Sequence, residues 1–186
     1  ELVCKSPFPS MPIYFWNDEN GSKYQKAYFD HYPGVWHHGD FIEVNEYGSI
    51  RIFGRSDATL NPGGVRIGTA EIYRVVEAFS EIDDSLVIGQ EWQGDQRVIL
   101  FLKLKNNGTL SDDLSIRIKT AVQSNCSLRH VPEKILSIED IPYTINGKKV
   151  EIAVKKIIQG EDVTNRDALA NPESLECFKN IPELLV

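Results

Sequence analysis

Two lysines follow a glycine late in the chain, at Gly147-Lys148-Lys149, and Thr144 and Asn146 come just before them. A lysine carried on a glycine turn can direct a compact positive charge at phosphate or carboxylate oxygens. The same residues can also form an ordinary turn with two solvated lysine side chains. The spacing alone leaves both interpretations open.

A second candidate is the loop from Asn61 to Gly68, which holds three glycines in eight residues together with Arg66. Glycines this close together indicate that the backbone turns sharply or approaches another group closely. A plain surface loop has this composition. A surface where a ligand lies against the main chain would have it too.

A third candidate is the pair His37-His38 beside Asp40, which could suggest a metal site. Adjacent residues on a strand point to opposite faces, so the two imidazoles cannot easily share one ion. We therefore expect no metal site. The chain also lacks the G-x-x-x-x-G-K-[ST], G-x-G-x-x-G, H-E-x-x-H and G-x-S-x-G signatures, which weakens the case for the common nucleotide-binding and hydrolase classes.

The elements that would position these residues alternate between strand and helix. Phe41–Val44 and Ser49–Phe53 read as a hairpin with a four-residue turn. Further strands are predicted at residues 85–89, 97–105 and 133–138. Thr69 and Ser111 are predicted to cap two amphipathic helices, and a third helix from Val150 is predicted to stop at Gly160. These elements predict an α+β fold, in which a β-hairpin and a short mixed sheet are packed by about three helices.

Composition restricts the class of protein. The 186 residues carry 20 Lys+Arg and 27 Asp+Glu, a net charge of −7, which argues against nucleic acid as a partner. The longest apolar run, Val98–Leu102, is far short of the roughly 20 residues of a membrane span. The first thirty residues contain no apolar core of a secretory signal. Three widely separated cysteines, Cys4, Cys126 and Cys177, are expected to be reduced. We therefore expect a cytoplasmic protein, and the initial Glu1 suggests a fragment of a longer polypeptide.

Four ordered motifs carry a resemblance to a known family: Gly39-Asp40, Gly54-Arg55-Ser56-Asp57, Gly68-Thr69-Ala70-Glu71-Ile72 and Pro142-Tyr143-Thr144-Ile145-Asn146-Gly147-Lys148. Their order and spacing resemble the adenylate-forming superfamily, which contains acyl-CoA synthetases, peptide-synthetase adenylation domains and firefly luciferase. Within that family the finer resemblance is to ligases of acetoacetate. It rests on the segments at 16–20, 59–62, 129–132, 147–151 and 181–184. The resemblance covers essentially the whole chain.

The resemblance implies roles for single residues. Asp40 matches the aspartate that holds the ribose hydroxyls of ATP, a task suited to a carboxylate acceptor. Arg55 matches an arginine that contacts the nucleotide, and Arg66 one that approaches phosphate. Lys148 matches the lysine that bridges the substrate carboxylate and the α-phosphate during adenylation, where negative charge gathers.

Three further residues receive roles in the same way. Asp57 matches the hinge about which a small C-terminal domain rotates, while Gly63 and Gly64 lie where the glycine loop forms a wall of the pantetheine channel. Two departures from the family pattern, His38 before the Gly-Asp pair and Val150-Glu151 after the lysines, are interpreted as marks of the subfamily.

The resemblance also implies domains and partners. Residues 1–56 would be the edge of a large N-terminal adenylating domain, residues 57–160 a mobile C-terminal domain and residues 161–186 an acidic extension. The implied enzyme is an AMP-forming acid-thiol ligase that uses ATP, coenzyme A and Mg²⁺, with acetoacetate or a similar short acid as substrate. The phosphate-binding loop and acyl pocket would lie in the N-terminal domain, the chain's partner in the same polypeptide, so we expect this fragment alone to be inactive.

Two alternatives stay open. The chain could belong to a ligase of another short acid or to an adenylation domain that serves a carrier protein. It could also be a free-standing, non-catalytic module that binds a partner or a nucleotide.

Overall fold

The computed structural model describes residues 1–185, and the chain divides into two compact units, Glu1–Asp57 and Ala58–Val186. Within the described residues, no helix is both long and apolar enough to cross a membrane. The predicted α+β class is confirmed.

The first unit contains two small antiparallel sheets and one helix. Strands β1 (Val3–Cys4) and β2 (Trp36–His37) pair, and the helix α1 (Ser22–Tyr28) lies between them in sequence. The predicted hairpin is formed by β3 (Asp40–Val44) and β4 (Ile50–Arg55). Its register pairs the first residue of β3 with the last residue of β4, so the Gly-Asp motif and the Gly-Arg motif meet at one end of the hairpin.

The helix α1 was not predicted from the sequence. Aromatic packing explains why it forms: Tyr24 and Tyr28 are four residues apart, on the same face of the helix. The ring of Tyr28 stacks on the buried Trp36 with a centroid distance of 3.7 Å. The carboxylate of Asp18 accepts hydrogen bonds from the amides of Lys23 (2.9 Å) and Tyr24 (2.8 Å), which satisfies two donors of the first turn.

The second unit is built on a three-stranded mixed sheet. Strands β5 (Ile82–Trp92) and β6 (Asp95–Leu104) form a long antiparallel hairpin, and β7 (Lys134–Ser137) pairs with β6 in parallel. The three predicted helices are present as α2 (Thr69–Val76), α3 (Asp112–Asn125) and α4 (Glu151–Ile158).

The helix starts agree with the sequence analysis at one of the two predicted caps. Ser111 caps α3, since its hydroxyl accepts a hydrogen bond from the amide of Leu114 at 3.2 Å. The predicted cap at Thr69 was wrong: Gly68 is the cap residue of α2 and Thr69 is the first, buried residue of the helix.

The central strand β6 divides the apolar core in two. Val98, Leu100 and Leu102 pack with residues of α2 and α3 on one face of the sheet. Ile99 and Phe101 point to the opposite face. Alternation along a strand explains this division, because successive side chains leave a sheet on opposite faces.

The second face of the sheet is covered by α4 and by the segment after Gly160. Four buried apolar residues of that segment join the core: Leu169, Leu175, Phe178 and Leu184. The carbonyl of Leu184 also accepts hydrogen bonds from the side chains of Gln90 (3.1 Å) and the buried Arg97 (2.9 Å). The acidic tail therefore packs as part of the second unit.

We predict that Phe178→Ala destabilises the chain strongly. Phe178 is fully buried, and its ring lies edge-on to Phe101 with a centroid distance of 4.9 Å. Removing a buried aromatic ring should lower the free energy of unfolding by about 3 to 5 kcal/mol, measured by urea denaturation of the second unit's fluorescence or circular dichroism signal. Leu185→Ala is the control, because this tail residue is exposed and its change should stay within about 0.5 kcal/mol.

Candidate functional site

The first group of candidate residues gathers at the end of the β3–β4 hairpin. Asp40 and Arg55 are register partners, and their side chains approach to 3.7 Å between Oδ1 and Nη1. The Arg55 Nε lies 3.4 Å from Oδ1 of Asp57. His38 Nδ1 lies 2.8 Å from the other carboxylate oxygen of Asp40. One guanidinium thus lies between the two predicted acidic site residues.

Gly39 makes this arrangement possible. It has a φ of +86°, and a Cβ at this position would lie 2.5 Å from Nη2 of Arg55. Only glycine adopts this conformation readily and leaves room for the guanidinium against the main chain. The backbone of Gly39 is itself fixed, because its carbonyl accepts from the amide of Ser56 at 2.9 Å and its amide donates to Glu1 at 2.9 Å.

The two adjacent histidines have different partners. His37 Nε2 lies 3.1 Å from a carboxylate oxygen of Glu1, whereas His38 contacts Asp40. Partial burial raises the pKa of Glu1, but hydrogen bonds from Ser56 and from the Gly39 amide outweigh it, so the net pKa lies below its usual value. Within residues 1–185, no three His, Cys, Asp or Glu side chains are grouped closely enough to hold a metal ion.

The glycine loop lies in the second unit and is closed by a bridge between Leu60 and Ile67. Gly63 and Gly64 have φ values of +58° and +76°. The amide of Gly63 donates to both carboxylate oxygens of Asp95, at 2.9 and 3.1 Å. Amide hydrogen bonds from Gln96 and Gly63 lower the pKa of Asp95.

The two glycines of this loop differ in their surroundings. A Cβ on Gly63 would collide with the guanidinium of Arg129, whereas a Cβ on Gly64 would meet no atom within 4 Å. Arg66 is exposed and forms no ion pair with another residue of the described chain. The loop therefore presents an open backbone at Gly64 and the exposed cation of Arg66.

Lys148 lies on a tight turn that begins at Thr144. The amide of Gly147 donates to the Thr144 carbonyl, and the amide of Thr144 donates to the Lys148 carbonyl, both at 2.8 Å. The Lys148 amide donates to the Thr144 hydroxyl at 3.1 Å, and Gly147 has a φ of +70°. The Lys148 side chain is exposed and has no ion-pair partner among residues 1–185.

Lys149 has the opposite environment. Its ammonium donates to the carboxylate of Glu77 and to the Ser85 carbonyl (2.6 Å), and it lies 2.8 Å from Oδ1 of Asp84. It also lies 4.2 Å from the centre of the Tyr73 ring, a cation–π contact. The sequence assigned a role to Lys148 by resemblance and no contacts to Lys149, so this ionic network was not predicted. Only the position of Lys149 one residue nearer α4 distinguishes it in the sequence.

Two tyrosines complete the network around Lys149. The Tyr73 hydroxyl donates to Glu151 at 2.9 Å and accepts from the amide of Val87 at 3.1 Å. Burial and the Glu151 carboxylate raise the pKa of Tyr73 well above its usual value. Burial and a 2.6 Å hydrogen bond to Asp84 likewise raise the pKa of Tyr143. Both phenols are therefore neutral donors at physiological pH.

The predicted site residues thus form separate groups. Asp40, Arg55 and Asp57 lie together in the first unit. The second unit holds the glycine loop with Gly63, Gly64 and Arg66, and the turn with Lys148. The groups have the chemistry expected for ligand contacts: a carboxylate acceptor beside a guanidinium, an open glycine backbone and a solvated ammonium.

Comparison with known proteins gives this arrangement a context. The chain is 57% identical over 186 residues to the acetoacetyl-CoA synthetase of Gallus gallus and 58% identical to that of Xenopus tropicalis. Each match covers 99% of this chain and 28% of the relative. The solved acetoacetyl-CoA synthetase from Streptomyces lividans matches 99% of this chain and 28% of its own, with 43% identity and a TM-score of 0.89. No family model matches the chain.

Over its whole length the chain is similar to part of these relatives, and it has the fold of adenylate-forming acyl-CoA synthetases. The particular relatives named above are acetoacetyl-CoA synthetases, and this chain spans 28% of their length. Its second unit has the fold of the C-terminal domain of acyl-CoA synthetases, a family that in general uses ATP, coenzyme A and Mg²⁺.

We predict that the two neighbouring lysines differ in their contribution to stability. Lys149→Met would leave Asp84 and Glu77 without their shared cation, and the side chain of Lys149 is only 17% exposed. The free energy of unfolding should fall by about 2 kcal/mol, less than for a fully buried pair because solvent still screens the charges. Lys148→Met is the matched control and should change it by less than about 0.5 kcal/mol. Equal effects in urea denaturation would contradict the difference in environment.

Proposed function

We propose that this chain is the C-terminal part of an AMP-forming acid–CoA ligase that converts acetoacetate, ATP and coenzyme A into acetoacetyl-CoA, AMP and pyrophosphate. The observation that carries the proposal is Lys148, an exposed cation without an ion-pair partner in residues 1–185, on a turn whose backbone is fixed by three hydrogen bonds. The whole-length similarity to acetoacetyl-CoA synthetases supports the choice of acid.

Lys148 would act in the first half-reaction. A carboxylate oxygen of the acid attacks the α-phosphorus of ATP, the bond to the pyrophosphate oxygen breaks, and an acyl-adenylate forms. Negative charge gathers on the reacting carboxylate and phosphate oxygens, where a positioned ammonium stabilises the transition state. The exposed side chain of Lys148 can reach such oxygens because no carboxylate of the described residues neutralises it.

Asp40 and Arg55 would hold the nucleotide. The Asp40 carboxylate can accept hydrogen bonds from two ribose hydroxyls, a task for which an ionised carboxylate is suited. Arg55 lies between Asp40 and Asp57, where its guanidinium would contact the nucleotide. Arg66, exposed at the glycine loop, would approach a phosphate group. Mg²⁺ would accompany ATP and be held mainly by the N-terminal domain.

The second half-reaction would use the glycine loop. The thiol of coenzyme A attacks the acyl carbon of the adenylate, the acyl–phosphate bond breaks, and AMP leaves with the bonding electrons. The glycine loop with Gly63 and Gly64 would form a wall of the pantetheine channel. A ligand can approach the backbone closely at Gly64, where no atom would contact a Cβ, whereas Gly63 lies against Arg129.

A rotation of the C-terminal domain about Asp57 would switch the enzyme from the first half-reaction to the second. The division of the chain into compact units falls directly after Asp57, which supports a hinge there. We propose residues 1–56 as the edge of the N-terminal domain, residues 57–160 as the mobile domain and residues 161–186 as its extension, in a cytoplasmic enzyme. The rest of the polypeptide would supply the acyl pocket, so the 186 residues alone should release no pyrophosphate.

A panel of acids tests the proposed activity. The complete polypeptide that contains this chain is assayed for pyrophosphate release with acetoacetate, acetate, propionate and benzoate, and for thioester formation with coenzyme A. Acetoacetate should be used with the highest kcat/KM. Preference for another acid would replace acetoacetate but keep the ligase, whereas adenylation without thioester formation would favour a carrier-protein adenylation domain. Turnover or tight nucleotide binding by the 186 residues alone would favour a free-standing module.

We predict that Lys148→Ala abolishes adenylate formation in the complete polypeptide while thioester formation from preformed acyl-adenylate survives. Loss of one charge that compensates the attacking carboxylate and the α-phosphate should lower the first rate by about 100-fold or more. Pyrophosphate release and thioester formation are measured separately. An equal loss in the two half-reactions would contradict the role of Lys148.

We predict that Asp57→Pro stops one half-reaction and spares the other. Proline fixes φ and removes a backbone donor, so the second unit should be held in one orientation. Asp57→Ala is the control, because it also loses the contact with Arg55 but leaves the backbone free. If both rates of the proline variant stay within about twofold of the alanine variant, the hinge does not lie at Asp57.

A further inference from the structure

The turn that carries Lys148 is held at both ends by one carboxylate. Tyr143 and Lys149 face each other across an antiparallel bridge at the base of the turn. The Tyr143 hydroxyl donates to Oδ2 of Asp84 at 2.6 Å, and the Lys149 ammonium lies 2.8 Å from Oδ1 of the same residue. Bridge partners in an antiparallel pair project from the same face, so one acceptor group can reach both.

Asp84 is suited to this task because it is itself fixed. It lies in β5, beside the bulge at the start of that strand, and its Oδ1 also accepts from the amide of Ser85 at 2.8 Å. Its side chain is only 19% exposed. The carboxylate therefore connects the base of the turn to a fixed point on β5.

The contacts of Asp84 are independent of those made by the turn itself. The hydrogen bonds among Thr144, Gly147 and Lys148 determine the conformation of the turn. They do not determine where the turn lies relative to the sheet. Only contacts that leave the turn do so. Towards the tail, the amide of Ile145 donates to the Ala168 carbonyl at 3.0 Å and the amide of Tyr143 donates to Oδ1 of Asn171 at 2.9 Å. Towards the sheet, Lys149 also contacts the Glu77 carboxylate and the Ser85 carbonyl, but Asp84 is contacted by the side chains of both Tyr143 and Lys149.

We propose that Asp84 is a positioning residue for Lys148: by holding Tyr143 and Lys149 at once, it fixes the placement of the lysine turn on the sheet. The catalytic part of this inference rests on the proposed function. Loss of Asp84 displaces the ammonium of Lys148 from the reacting oxygens and slows adenylation. Thioester formation, which does not use that ammonium, is unaffected.

The test uses Asp84→Ala with Asp83→Ala as the matched control. Both variants remove one carboxylate from neighbouring residues of β5, but Asp83 is exposed and holds neither end of the turn. In the complete polypeptide, Asp84→Ala should lower kcat for adenylation by about 10- to 100-fold, because a displacement of about 1 Å at a reacting group has effects of this size. The KM for ATP and the thioester rate should stay within about threefold.

A second measurement tests the placement without catalysis. Amide hydrogen exchange of Thr144, Gly147 and Lys148 is measured by NMR in the 186-residue chain, with amides of the central strand such as Leu100 as a control for global unfolding. Asp84→Ala should speed exchange of the turn amides about 10-fold or more and leave Leu100 unchanged. Tyr143→Phe removes only one of the two contacts and should give a smaller change in the same direction.

Each outcome decides a separate point. Unchanged exchange in the turn, or equal losses in the two half-reactions, would overturn the positioning role of Asp84. Faster exchange of the turn amides and of Leu100 together in Asp84→Ala would also overturn it, because Asp84 would then support the whole unit. If the wild-type polypeptide adenylates no acid, the proposed function fails, while the exchange data still decide whether Asp84 holds the turn.

Discussion

The burial of both faces of the central strand β6 is the constraint on which the second unit depends. Its residues Val98–Leu102 alternate between two apolar cores, one under α2 and α3 and the other under α4 and the tail. A shift of the strand by one residue would exchange the two sets of side chains. Every element that covers the sheet is therefore tied to one register.

The position of the turn that carries Lys148 depends on this packing. Ile141 precedes the turn and Val154 follows it, and both are buried in the core on the second face of the sheet. The turn thus lies between two buried residues, and the contacts of Lys149 connect it to β5. An exposed side chain such as Lys148 is well placed only because the residues on either side of it are buried. The position of Lys148 therefore depends on the sheet, through the buried residues on either side of the turn.

The sequence predicted what local patterns can encode. The hairpin of β3 and β4 follows from alternation, and the three helices of the second unit follow from helical spacing and, for α3, from the cap at Ser111. Strands were also predicted at residues 85–89 and 97–105, where β5 and β6 lie. The four motifs also indicated the candidate site residues, through their resemblance to a known family. Tertiary contacts could not be predicted in this way: α1 forms because Tyr28 packs on Trp36, and the acidic tail folds against the sheet because Phe178 packs on Phe101. The distinction between Lys148 and Lys149 depends on Glu77 and Asp84, more than sixty residues earlier, and no short motif could reveal it.

The contrast between the two lysines has a consequence for chemical labelling. An amine-reactive reagent is attacked by the amine nitrogen of a lysine, so the reagent must be able to reach that nitrogen. The Lys149 ammonium is held by two carboxylates and a carbonyl oxygen beneath the Tyr73 ring, whereas Lys148 stands in solvent. Two adjacent residues of the same type therefore differ in reactivity, and a single acylated site in a peptide map would report directly on whether the ionic network is intact.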